Sequence, residues 1–185
     1  NVKLGLTPQR NAASKASEET AALLLSKVAS PDLMKNNNAT AVHAAIQSGC
    51  SSTIDLLAPV TTKSLDEAIK SLACYHPEIT PAVEDLLRRA ASDKNVVRKG
   101  SKYATKFGAA GLLKILTQGW NKSTLDFNKA NQLLERALMS DNADTVDTVK
   151  AFVPSASLEN IALALTRGRA DVLKLLGLGE DERSI

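Results

Sequence analysis

His43 and Cys50 lie seven residues apart in ATAVHAAIQSGCSSTIDLLAP (residues 39–59), in a chain with only two histidines and two cysteines. A histidine beside a thiol is the pairing of a nucleophilic-cysteine site, in which imidazole takes the thiol proton and a third polar group orients the ring. Such a thiol also needs surroundings that lower its pKa. The stretch carries no charge before Asp55, so no orienting acid is at hand. Cys74-Tyr75-His76-Pro77 repeats the proximity at shorter range. All four side chains would have to converge to hold zinc, and their spacing gives no sign of it. No phosphate-cradling glycine loop, dinucleotide fingerprint, HExxH or DxDxDG pattern occurs. Carboxylate pairs such as Glu18-Glu19 and Glu180-Asp181 fall at helix starts or in the tail, where solvation accounts for them. The residues therefore predict no enzyme, no cofactor and no metal site.

The elements that carry these residues are helical. The chain has 185 residues, 44% of them hydrophobic, and its aromatics are few: Trp120, Tyr75, Tyr103, Phe107, Phe127 and Phe152. Ala and Leu must do most of the packing, and small Ala contacts suit close helix–helix approach better than cross-strand pairing. No apolar run approaches the roughly 18 residues of a membrane span. The net charge of +3 fits a soluble protein that prefers acidic surfaces. The start at Asn1 rather than Met fits a processed product or an artificial start. Sequons stand at Asn38-Ala39-Thr40 and Asn121-Lys122-Ser123.

Within residues 40–58, Val42, Ala45 and Ile46 share a helical face, Gly49 can end that helix with a left-handed residue, and Ile54, Leu56 and Leu57 pack back. The same grammar recurs in TPQRNAASKASEETAALLL, KYATKFGAAGLLKIL with Gly108, and NIALALTRGRADVLKLLGLG with Gly168. LLERALMSDNADTVDTVKAFV offers Asp141 or Asn142 at the glycine position. In SLDEAIKSLACYHPEITPAVEDLL the turn is longer and Pro81 opens the second helix.

These copies resemble the ankyrin repeat family. Thr40-Ala41-Val42-His43 is similar to its T-P-L-H opening with the proline lost, Thr7-Pro8 keeps the Thr-Pro 33 residues upstream of Thr40, and Gly49, Gly108 and Gly168 match its inter-helix glycine. The resemblance implies a single all-α solenoid of about six stacked helix–turn–helix repeats, at 7–39, 40–62, 63–98, 99–130, 131–156 and 157–179. It also implies that His43 is a brace bonded to loop backbone and Cys50 a small buried group opening the second helix. The connectors at 26–39, 88–100 and 117–131 have room for the family's hairpin fingers. Those after Leu57 and Phe152 do not.

The function implied is protein–protein interaction through a concave repeat surface. Residues just before each glycine are expected to project from it: Gln47-Ser48, Lys106-Phe107 and Thr166-Arg167. The segment 88–106 carries Arg88, Arg89, Lys94, Arg98, Lys99, Lys102 and Lys106 against Asp93 alone. The expected partner is a protein with an acidic surface, met by Arg98, Lys99, Lys102, Lys106 and Phe107, with Trp120 on the same rim or folded into the core. The alternative is a regulatory protein that associates with nucleic acid through 88–106. No small-molecule substrate or membrane is expected. The degenerate repeats and the start without Met fit a secreted pathogen effector acting on a host protein.

Overall fold

Thr40 has extended backbone, and the apolar residues after it wind into one of a series of helical hairpins. The computed structural model describes residues 13, 18–26, 30, 32, 40–75, 78–121, 123–153, 155–168 and 170–177. Thr7-Pro8 and His76 lie outside these residues. Contacts divide the chain into two compact units, 1–100 and 101–185. Every regular element among the described residues is helical, with no strand.

The first unit holds α1 (Glu18–Ser26), α2 (Ala41–Ser48), α3 (Ser51–Leu57) running into a 3-10 turn (Ala58–Val60), α4 (Leu65–Tyr75) and α5 (Pro81–Ala90). The unit boundary falls within α6 (Lys94–Lys106). The second unit continues with α7 (Ala110–Leu116), α8 (Phe127–Met139), α9 (Ala143–Lys150), α10 (Leu158–Thr166) and α11 (Ala170–Leu175). In the first unit α2 packs on α4, while α1 and α5 pack on α3. In the second, α8 packs on α10, while α7 and α11 pack on α9. First helices meet first helices and second meet second, as neighbouring repeats of a solenoid do.

The turns follow from residue chemistry. Gly49, Gly108 and Gly168 sit at φ of +68°, +69° and +62°, a region that costs side-chain-bearing residues about 1–2 kcal/mol. At the position the sequence left open, Asp141 takes the left-handed conformation, with φ of +57°. Asn142 instead caps α9, its Oδ1 accepting the Thr145 N–H at 3.0 Å. Thr80 and Ser157 cap α5 and α10 in the same way. Ala45, Ala68, Ala90, Ala130 and Ala137 are fully buried, as are the larger Ile46, Leu57, Ile69, Leu87 and Leu134.

One connector differs from expectation. Segment 88–100 is no finger: α5 runs to Ala90, and only the turn at 91–93 precedes α6. Asp93 makes that turn sharp, its carboxylate accepting the Asn95 N–H at 2.8 Å and its carbonyl the Val97 N–H at 2.9 Å. After Leu116, residues 117–126 lead to α8, with no strand among those described.

Candidate protein-binding face

His43 is buried, and its Nδ1 accepts the Thr40 backbone N–H at 3.0 Å. It braces the start of its own helix. Cys50 is half-buried at the N-cap of α3, a correction to its expected burial. Thr53 Oγ donates to its sulfur at 3.2 Å and the Ser52 hydroxyl lies at 3.4 Å. These hydroxyls, Ser52 first, hold the thiol below its usual pKa. Cys74 stands within α4. Among the described residues no group of three His, Cys, Asp or Glu side chains is arranged to hold a metal, and no helix is long and apolar enough to cross a membrane.

The basic segment separates into braces and a solvent-facing set. Arg88 pairs with Glu84 at 2.5 Å one turn back. Arg89 pairs with Asp85 at 2.9 Å and donates to the carbonyls of Thr61 at 2.6 Å and Ala58 at 2.5 Å, closing the 3-10 turn against α5. Lys99 reaches Asp66 at 3.1 Å. Burial pushes the Asp66 carboxyl up, but its bonds to Lys99 and to backbone N–H groups outweigh this and leave it below the usual carboxylate range.

Lys94, Arg98, Lys102 and Lys106 remain, all exposed on α6. They recur every fourth residue, so successive cations are about 6 Å apart along the axis and the row spans about 18 Å. The α6 sequence, KNVVRKGSKYATK, contains no acid. Phe107, 37% exposed, follows directly, with Lys106 Nζ 5.3 Å from its ring centroid.

The other expected contact residues are placed differently. Gln47 is exposed at the end of α2. Ser48 is exposed but tied, its hydroxyl donating to the carbonyls of Ala45 at 2.8 Å and Ala13 at 3.1 Å. Arg167 bonds Asp141 at 2.7 Å, fastening the α10 end to the α8–α9 turn. Trp120 is half-buried and meets the buried Phe152 edge-to-face, centroids 5.3 Å apart, which is a packing role.

A polar bracket between α8 and α10 went unforeseen. Asn131 Oδ1 accepts the Ser157 N–H at 2.8 Å and the Asn160 amide at 2.9 Å, and Asn160 also donates to the Asn131 carbonyl at 3.0 Å. Both asparagines are buried. An Asn on the apolar side of a predicted helix was the available signal.

Helical hairpins stacked first on first and second on second define a helical repeat protein. The human ASB11 ankyrin repeat domain, known from its crystal structure, superposes with a TM-score of 0.66 at 17% identity, over 96% of this chain and 86% of that one. The fold is therefore ankyrin-like. No protein-family model matches the chain, and no curated protein does.

Proposed function

We propose that the chain is a protein-binding module that takes an acidic partner on the exposed face of α6, with Phe107 as the apolar anchor at one end. The observation that carries this is a local cost without a structural return. Lys94/Arg98, Arg98/Lys102 and Lys102/Lys106 are like-charged pairs one helical turn apart, each destabilising by a few tenths of a kcal/mol. Among the described residues Lys94, Arg98 and Lys102 form no ion pair, whereas Arg88, Arg89 and Lys99 each hold a structural partner. Local conflicts of this kind mark functional surfaces. A row of cations steers an acidic partner into encounter, and an exposed phenyl ring beside it supplies area for a contact to close on.

Lys102→Glu tests this. The substitution turns two repulsive one-turn pairs into attractive ones, so melting should rise, by about 1 kcal/mol of stability. Binding of a fluorescent Glu-rich peptide should fall about tenfold and lose part of its ionic-strength slope. Unchanged peptide affinity sinks the reading. A single-stranded oligonucleotide bound more tightly than the peptide, through the same lysine, would replace it with nucleic-acid association.

A further inference from the structure

We propose that Asn121, in the connector between α7 and α8, is an acceptor site for an N-linked sugar on the folded chain. Asn121-Lys122-Ser123 has the Asn-x-Ser pattern that such transfer reads, and the α6 face makes no use of it. Asn121, Ser123 and Thr124 are all exposed. A surface connector can carry a bulky, solvated sugar without disturbing a packed face.

The side-chain geometry shows which atom is on offer. The Ser123 backbone N–H donates to Asn121 Oδ1 at 2.9 Å. A backbone N–H can only donate, so the amide oxygen faces the turn and the amide nitrogen is left on the other side. The Ser123 hydroxyl at 2.6 Å and the Thr124 hydroxyl at 3.3 Å converge on the same oxygen. The Asn121 backbone N–H donates to Thr124 Oγ at 2.8 Å and closes the turn. Among the described residues nothing hydrogen-bonds to Asn121 Nδ2, so a transferase meets that nitrogen without breaking a bond first.

The other triplet, Asn38-Ala39-Thr40, is closed by comparison. Asn38 lies outside the described residues, but Thr40 is fully buried, with its hydroxyl 2.9 Å from His43 Nδ1. A transferase that reads the third residue's hydroxyl cannot reach it in the folded chain. The donor is a sugar activated through a phosphate at its anomeric carbon. Asn121 Nδ2 attacks that carbon, and the new C–N bond forms as the C–O bond to phosphate breaks. The phosphate oxygen leaves with the electron pair, and a base of the transferase takes the displaced Nδ2 proton.

The experiment incubates the folded full chain with two transferases that read Asn-x-Ser/Thr. One is soluble and supplied with UDP-glucose; the other is detergent-solubilised and supplied with a lipid-pyrophosphate-linked oligosaccharide. Intact mass should rise by a single transferred unit with at least one donor, and the donor that works identifies the source. Peptide mapping should place the unit on Asn121. Asn121→Gln and Ser123→Ala should abolish the gain, while Ser123→Thr and Asn38→Gln should keep it, all four with helical circular dichroism unchanged. No gain from either donor, a sugar on Asn38 in place of Asn121, or a gain that survives Ser123→Ala would each overturn the proposal.

Discussion

Phe107 and Trp120 are both large aromatics near the second unit's first turn, yet their surroundings assign them opposite roles. Phe107 is partly exposed under the Lys106 ammonium, whereas Trp120 lies edge-on to the buried Phe152. Truncating an exposed anchor removes contact area only when a partner is present, at about 2 kcal/mol or more in binding for a true hot spot. Truncating a ring that fills space inside the fold costs about 3–5 kcal/mol when fully buried, and less for half-buried Trp120. Phe107→Ala should therefore melt close to the unsubstituted chain and bind the Glu-rich peptide more weakly. Trp120→Ala should melt markedly lower with affinity preserved. Calorimetry and peptide titration on the same samples separate the two, and a reversed pattern would move the contact surface off α6.

The element scale shows what the sequence could and could not disclose. The glycines were legible because a left-handed residue between two helices has few candidates, and three of those turns carry Gly. Asp141 and Asn142 were ambiguous because both side chains tolerate that conformation and both can cap. Segment 88–100 reads as a connector because the buried face of α6, which begins inside it, is built from Val97, Gly100, Ser101, Ala104 and Thr105, small or polar groups that leave almost no apolar periodicity. Thr105 satisfies its hydroxyl inside the helix, donating to the Ser101 carbonyl at 2.9 Å, and so can be buried without advertising a core position. The turns themselves differ in tightness. A methyl at Gly49 would meet nothing within 4 Å, whereas one at Gly108 would lie 3.1 Å from the Asn142 Cβ. Gly49→Ala should thus cost only the backbone strain, about 1–2 kcal/mol. Gly108→Ala adds a contact that must push on the residue capping α9, and it should be the more destabilising of the pair in urea titrations. Equal losses would mean that the α9 cap yields freely.

For the whole molecule, the repeat grammar was readable because it recurs. No single alanine-rich hairpin is diagnostic, but apolar runs parted by a left-handed residue and repeated along the chain leave little besides a stack of hairpins. The particular surface was not readable, since exposed positions are the ones released from the pattern. Stability in such a fold is a sum of hairpin terms and nearest-neighbour interfaces, so it should be graded along the chain. In the second unit, α9 is packed by α7 on one side and α11 on the other, and Leu134 on α8 and Val146 and Val149 on α9 are buried. The α10–α11 hairpin packs on α8 and α9, and Ile161, Leu173, Leu175 and Leu176 are only half-buried. Amides that depend on fewer interfaces open at lower free energy. Hydrogen exchange at high dilution should therefore reach the α10 and α11 amides well before those of α8 and α9. Uniform exchange across the four helices would mean that the second unit opens as one cooperative block, and the graded account would fail.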